Sequence, residues 1–273
     1  MEGRPLQNVF YAPRVKNPEI SLFIPMYNEQ AILGSSVSAL EKVLPRTGKE
    51  YEIILVDDNS KDNTLEIALA LRKKNPRIGV AAYQDGPSRR ENLAWSFPFA
   101  RAPHVFMIDM DLSMNPEFIP IMVRKLEEGY SIVTASRYAP GGHVVRSTFR
   151  YTVSKIYNWF IRNYFKTRCF DNVCGFKGFH REAIVMLVNE LSIDKSHDRG
   201  VFWDAEMLLR ATMHGLPIYE LPVTWIAGKK SELRFKREIR MIRYFTKMGR
   251  ILAYERRTGR MRGLPINPLK IVQ

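Results

Sequence analysis

Residues 104–111 read HVFMIDMD, a mostly apolar run that stops at Asp109-Met110-Asp111. A short apolar run bounded by polar turn residues is what a strand buried on both faces looks like. Four more runs of the same kind flank it: ISLFIP at 20–25, YEIILVD at 51–57, IGVAAY at 78–83 and SIVTAS at 131–136. Between them apolar residues fall at helical spacing, among them Ile32, Val37, Leu40 and Val43, then Leu65, Ala68, Leu69 and Leu71. Strands separated by helix-length connections imply right-handed βαβ units, and hence an α/β, Rossmann-like, mostly parallel central sheet flanked by helices.

Beyond residue 146 the pattern changes. Phe149, Val153, Ile156, Tyr157, Phe160, Ile161 and Tyr164 mark a long amphipathic helix rich in aromatic residues. A strand-like segment at 174–179, helices near 181–190 and 203–214, a strand near 217–225 and a helix over 232–256 follow. In that last helix Met241, Phe245, Met248 and Leu252 form one stripe, and Lys236, Arg240, Arg243, Lys247 and Arg250 form another. Such a basic amphipathic helix is expected to lie on an anionic membrane surface, the alternative being a helix docked on the domain with its charges in water. The tail after Gly263 is expected to be loosely held.

The 273 residues include 42 Lys and Arg against 28 Asp and Glu, a formal net charge of +14. A hydrophobic content of 45% excludes a disordered chain, and the length allows a sizeable core. The positive charge favours an anionic partner. Cys169 and Cys174 are too few for a disulfide framework or a cysteine zinc site, so packing roles in a reducing compartment are expected. No window reaches the ~18 apolar residues of a transmembrane span, and no signal-peptide run opens the chain. The five histidines show no metal-ligand spacing.

In open parallel sheets, ligands bind beyond the carboxyl ends of the strands. Pro25-Met26-Tyr27-Asn28-Glu29, Asp57-Asp58-Asn59-Ser60 and Asp109-Met110-Asp111 fall at three such ends. Alternate residues of an extended segment project to one side, so Asp109 and Asp111 are expected to address one bound group together. Paired carboxylates repel unless a cation neutralises them, and Mg²⁺ or Mn²⁺ holding a diphosphate would do this. Each motif taken alone is equally compatible with a turn or a helix cap.

Taken in order, PMYNE, VDDNSKDNT and DMD resemble the nucleotide-sugar domain of the family 2 glycosyltransferases, which have the GT-A fold. Downstream, Ser136-Arg137-Tyr138, Gly141-Gly142, Arg150, Ser154-Lys155, Asn158, Asp171 before Gly175-Phe176, and Glu220-x-Pro222-Val223 with Gly228 and Ser231 narrow the resemblance. They resemble the polyprenyl-phosphate branch, whose best-known members are the dolichyl-phosphate mannose synthases. The resemblance spans residues 18–235 and implies an N-terminal extension over 1–17 and a catalytic domain over 18–228. The nucleotide-sugar half of that domain runs to residue 136 and the acceptor half follows it, with a basic helix and tail over 229–273. Without a C-terminal transmembrane pair, the chain resembles members that lack or borrow their membrane anchor.

By that resemblance Pro25, Tyr27, Glu29 and Asp57 hold the nucleoside, while Asp109 and Asp111 meet ribose, metal and diphosphate. The mannose synthases commonly place a Gln two residues after the second Asp. Ser113 stands there in this chain, completing an implied metal set of Asp111, Asp109 and Ser113. Lys229 and Lys230 replace an Arg that usually binds the donor, without its two-pronged geometry. Arg137, Arg150 and Ser154 are the implied grip on the acceptor phosphate, with Lys155 a weaker candidate, and Asp109, Asp111 and Arg137 are the implied catalytic residues. Asp204 and Glu206 lie where some relatives carry a base, a group that an already ionised phosphate acceptor does not need. Arg89-Arg90-Glu91-Asn92 is assigned no role.

The resulting expectation is a metal-dependent, inverting hexosyltransferase. It would use a nucleotide sugar, GDP-mannose favoured, and a polyprenyl or dolichyl phosphate at the cytoplasmic face of the membrane. A membrane-anchor protein is an optional partner, and nucleic acid is not one. A family 2 enzyme acting on a glycan or small-molecule hydroxyl is the alternative, and a non-catalytic basic binding module the remote one.

Overall fold

The computed structural model describes residues 7–88, 90–194, 199–200, 202–226, 235–259 and 270–272, with backbone alone for 226, 235–243, 256 and 270–272. Its strands are β1 (Val9–Tyr11), β2 (Ile20–Met26), β3 (Tyr51–Asp57), β4 (Ile78–Ala82), β5 (His104–Met107), β6 (Ile132–Ser136), β7 (His143–Val145), β8 (Lys177–His180), β9 (Ile218–Pro222), β10 (Thr224–Ile226) and β11 (Lys270–Val272). Its helices are α1 (Leu33–Val43), α2 (Thr64–Lys74), α3 (Glu91–Ser96), α4 (Ile119–Glu127), α5 (Thr148–Phe165), α6 (Arg181–Leu191), α7 (Phe202–Met213) and α8 (Phe235–Thr258).

Among the described residues, nine strands form one sheet in the order β11-β1-β4-β3-β2-β5-β8-β6-β9, and β10 pairs with β7. Strands β4, β3, β2 and β5 run parallel side by side, so the loops that follow them open on one edge of the sheet. The apolar runs are unbroken because both faces are covered. Leu22, Ile24, Ile53 and Leu55 pack with Val37, Leu40 and Leu65 on one face. Phe23, Ile54, Val56 and Val105 pack with Leu93, Ile184, Leu187 and Leu208 on the other. The mostly parallel α/β sheet is thus as expected, and no described helix is long and apolar enough to cross a membrane.

Four expectations change. The strand expected over 217–225 divides at Val223, whose N–H donates to Ser136 O while its own carbonyl accepts from His143 N–H. The chain thereby passes from the main sheet to the small one. At the other end, β11 pairs in parallel with β1 and so ties down 270–272, a stretch expected to be loose. Strand β5 stops at Met107, and a turn closed by Leu112 N–H on Asp109 O follows, with Leu112 at φ 45°. Asp109 and Asp111 therefore sit on a turn rather than on alternate positions of an extended strand.

The fourth change concerns α8. Tyr244, Met248 and Leu252 are buried against Ile161 and Phe165 of α5 and Phe202, Ala205 and Leu209 of α7, with Phe245 partly buried beside them. Half of the apolar stripe assigned to a membrane thus faces the domain, because α5 and α7 offer it an apolar groove. Met241 and the basic side chains of Lys236, Arg240 and Arg243 lie outside the described side chains. Lys247 pairs with Asp194 at 3.2 Å and Arg250 is exposed.

Candidate active site

The loops after β2 and β3 are stitched together before any ligand is considered. Asn28 takes a left-handed conformation, φ 57°, that asparagine tolerates better than most residues. Its N–H donates to Ser60 Oγ at 3.0 Å, and its Oδ1 accepts from Lys61 N–H at 2.7 Å. Glu29 N–H donates to Thr64 Oγ1 at 2.8 Å. Asp57 is fully buried beneath these loops and accepts Ser60 N–H at 3.3 Å. Pro25 and Glu29 are half-buried and Tyr27 is exposed, so of the four residues assigned to the nucleoside only Asp57 is closed off from solvent. Asp58 has a different task. Its carboxylate accepts Ser88 N–H, Ser88 Oγ–H and an Asn92 Nδ2–H at 2.7–2.8 Å, anchoring the segment that leads into α3.

Asp109 leaves the core 44% exposed and pairs with Arg90 Nη2 at 2.9 Å. Asp111 is exposed, with Oδ1 accepting Ser113 N–H at 3.0 Å. Ser113 thus orients Asp111 through its backbone. Among the described residues no group of three His, Cys, Asp or Glu side chains is arranged to hold a metal. A hard divalent cation that keeps several waters and takes oxygens from one or two carboxylates and a diphosphate fits the exposed Asp111, with Asp109 beside it. Lys229 and Lys230 lie outside the described residues.

Beyond residue 136, Asp171 is fully buried and meets Arg137 in a two-pronged pair, Nε–Oδ2 2.6 Å and Nη2–Oδ1 2.9 Å. Burial would raise the Asp171 carboxyl, but Arg137 more than reverses this and holds it below the usual carboxylate range. Above the pair, Arg137 and Arg146 lie 5.5 and 5.4 Å from the centre of the Trp225 ring. Arg146 also donates from Nη1 to Ser154 Oγ at 2.9 Å, so Ser154 is reached by a cation that the sequence reading did not single out. Arg150 lies half-buried in the first turn of α5. Beside these residues Tyr138, Lys155, Ile156, Trp159 and Phe170 line a groove of about 490 Å³. Tyr138, Arg137 and Ser154 are therefore neighbours of one concave, mixed cationic and aromatic surface.

Asp204 and Glu206 are both buried on α7. Asp204 pairs with Lys177 Nζ at 2.7 Å and with Arg90 Nε at 3.6 Å. Glu206 is held by Arg210 Nε at 3.1 Å, Tyr244 Oη at 2.8 Å and Arg199 at 3.7 Å. Arg210 in turn pairs with Glu255 at 3.1 Å, which fastens α8 to α7. Arg90 and Lys177 carried no signal in the sequence, because their ion-pair partners are 19 to 114 residues away in the chain, and Arg199 joins Glu206 to Glu91, which lies 108 residues away. Cys169 and Cys174 are buried free thiols, and burial pushes both up to about 12, in keeping with packing roles.

Known proteins resemble this chain in sequence and in fold. The chain is 31% identical over 242 residues to the glycosyltransferase AglD of Haloferax volcanii, across 87% of this chain and 38% of the relative. It is 29% identical over 185 residues to an undecaprenyl-phosphate 4-deoxy-4-formamido-L-arabinose transferase of Shewanella sediminis, across 67% of this chain and 53% of that protein. The chain therefore spans between about a third and about half of these relatives' lengths. Among solved structures, the mannosyltransferase PcManGT of Pyrobaculum calidifontis, in complex with GDP-Man and Mn²⁺, superposes with a TM-score of 0.61 at 18% identity, over 88% of this chain and 67% of that one. Glucosyl-3-phosphoglycerate synthase of Mycobacterium tuberculosis, with Mn²⁺, UDP and phosphoglyceric acid, gives 0.57 at 18% identity over 86% and 76%. These two likenesses carry the fold. Residues 21–186, which hold all three acidic strand ends and the arginines above Trp225, match the family described as Glycosyl transferase family 2, and the chain belongs to that family.

Proposed function

We propose that this chain transfers a hexose from a nucleotide sugar, GDP-mannose favoured, to a polyprenyl phosphate at a membrane surface, inverting the anomeric carbon. The observation that carries the choice of acceptor is the state of α7: Asp204 and Glu206, the two carboxylates placed for a general base, are buried and ion-paired. A hydroxyl acceptor needs a base within hydrogen-bond reach of its proton. A phosphate acceptor arrives ionised and needs none. The undecaprenyl-phosphate transferase among the relatives supports the same reading.

In this scheme Pro25, Tyr27, Glu29 and Asp57 seat the nucleoside and Asp109 receives its ribose. Lys229 or Lys230 adds charge toward the donor. Arg137, Arg150 and Ser154 draw the acceptor phosphate to the groove beside α5. Arg137 keeps Nη1 outside its pair with Asp171, so it can present one N–H while its orientation stays fixed. An oxygen of the acceptor phosphate then attacks the anomeric carbon as the bond to the donor's diphosphate breaks, and the electron pair leaves with the diphosphate. A divalent ion at Asp111, with Asp109 beside it, supplies Lewis-acid stabilisation of that leaving group when bound. The protein's own work is placement in line and neutralisation of charge.

The membrane contact is assigned mainly to α5. Phe149, Val153, Ile156, Phe160 and Tyr164 form an exposed stripe on it, with Trp159 adjacent, while Lys155 and Arg162 supply charge along the same helix. The basic residues of α8 add attraction to anionic headgroups.

The deciding experiment is to incubate the purified protein with a panel of radiolabelled nucleotide sugars, Mg²⁺ or Mn²⁺, and polyprenyl phosphate. Label from one donor should enter the organic phase. Label transferred only to water-soluble hydroxyl acceptors would instead establish the alternative family 2 activity.

A further inference from the structure

A line of alternating charges runs from the donor rim into the core. Lys177 of β8 is fully buried, bonded to Cys174 O, and pairs with Asp204 of α7 at 2.7 Å. Asp204 pairs with Arg90 at 3.6 Å, and Arg90 pairs with Asp109 at 2.9 Å. The exposures along this line set its direction. Lys177 and Asp204 are closed to solvent, Arg90 is 16% exposed and Asp109 is 44% exposed. The inner pair is thus fixed by the core, and of the two carboxylates only the outer one is open to solvent.

The backbone makes room for this line at one place. A Cβ on Gly175 would overlap the Asp109 carboxylate and come within 2.8 Å of Arg90 Nη2. The loop before β8 therefore lies directly against the Arg90–Asp109 pair, and its lack of a side chain there permits the contact. Arg90 cannot swing away without leaving both carboxylates less compensated in a partly dry site, which costs more than an exposed pair would.

Asp109 itself stands on a turn beyond β5, so the strand does not hold its side chain. We propose that Arg90 is a positioning residue for the donor: anchored by Asp204, it fixes the orientation of the Asp109 carboxylate and thereby sets the affinity for the nucleotide. The inference rests on the nucleotide-sugar reading of the cleft. It gives Asp204 a duty as an anchor, distinct from that of a base.

The test is equilibrium binding of UDP and GDP to the purified chain by calorimetry, with Mg²⁺ and separately with EDTA, followed by kinetics with the donor that proves active. Arg90→Ala should weaken binding of the preferred nucleotide about tenfold, the scale of a lost charge-assisted contact. It should raise the donor KM far more than it lowers kcat, and leave the acceptor KM unchanged. Arg90→Lys should recover part of the loss, and it remains informative should Arg90→Ala not fold. Asp204→Asn should weaken binding less than Arg90→Ala, and should add nothing in the Arg90→Ala background, since both act through one carboxylate. Unchanged nucleotide affinity in Arg90→Ala, or full additivity of the two losses, overturns the proposal. Loss of kcat alone in Asp204→Asn at saturating donor overturns it too, in favour of a base. If the parent protein binds neither UDP nor GDP, the nucleotide-sugar reading fails first and takes this inference with it.

Discussion

Arg137 is clamped to Asp171 by three hydrogen bonds, from its backbone N–H at 3.0 Å and from Nε and Nη2 at 2.6 and 2.9 Å. Both carboxylate oxygens are occupied, and the residue that the acceptor phosphate is proposed to meet is already rigid. Preorganisation of this kind stabilises a bound anion because little side-chain entropy is left to lose. Removing Asp171 would leave a nearly buried guanidinium uncompensated. Asp171→Ala is therefore expected to destabilise the fold by about 3–5 kcal/mol, read from urea denaturation. A loss under 1 kcal/mol would mean that water compensates Arg137.

Asp111→Ala should abolish transfer and leave the melting temperature unchanged, because Asp111 is exposed and its recorded bond is local, to Ser113 N–H. EDTA should reproduce the loss and Mg²⁺ or Mn²⁺ should reverse it. Activity at the parent level in this variant would remove Asp111 from the site. Asp109→Ala should also be severe, with a raised donor KM.

Arg150 stands in the first turn of α5. Arg150→Ala should raise the KM for polyprenyl phosphate by the equivalent of about 1.5–3 kcal/mol and leave the donor KM nearly constant. Steady-state kinetics with each substrate varied in turn checks this, and equal damage toward both substrates would refute an acceptor role.

Glu91 gives the stability a pH dependence of known sign. Burial pushes its carboxyl up from 4.5 to about 7, although Arg199 beside it pulls the other way. The folded state then binds this proton more tightly than the unfolded chain. Its contribution is fully present below pH 4.5 and is lost as pH rises through about 7. Glu91→Gln keeps an acceptor oxygen for Asp194 N–H and should flatten the stability profile between pH 4.5 and 7. Urea midpoints measured across that range decide the matter, and an unaltered slope would assign it to other groups.

Ile156 and Trp159 are 60% and 65% exposed on α5, whereas Met248 and Leu252 of α8 are core residues. Replacing Ile156 and Trp159 by Ser should reduce co-sedimentation with anionic liposomes at unchanged stability. Replacing Arg240 and Arg243 by Glu should weaken liposome binding more at low salt than at high salt, because attraction of basic residues to anionic headgroups is screened. If the α5 variant sediments like the parent, its apolar stripe meets something other than lipid.

The sequence alone determined the α/β class and the places where polar motifs end its strands, for a local reason. Strands buried on both faces must be apolar without interruption, and the polar residues that end them must lie at the sheet's edge. The runs at 20–25, 51–57 and 104–109 and their acidic ends were therefore legible without coordinates. Tertiary structure decided what each of those side chains is tied to. Asp58 proved to be an anchor for the chain entering α3, and Asp109 the outer end of a line of charges. The basic, apolar-striped helix α8 was equally compatible with a membrane and with the domain. The groove between α5 and α7 settled that Tyr244, Met248 and Leu252 face inward. Periodicity reports that a face is apolar, and only packing between distant segments supplies what covers it. Ion pairs such as Arg90–Asp204 and Arg210–Glu255 are invisible for the same reason, since their spacing in the chain carries no regular period.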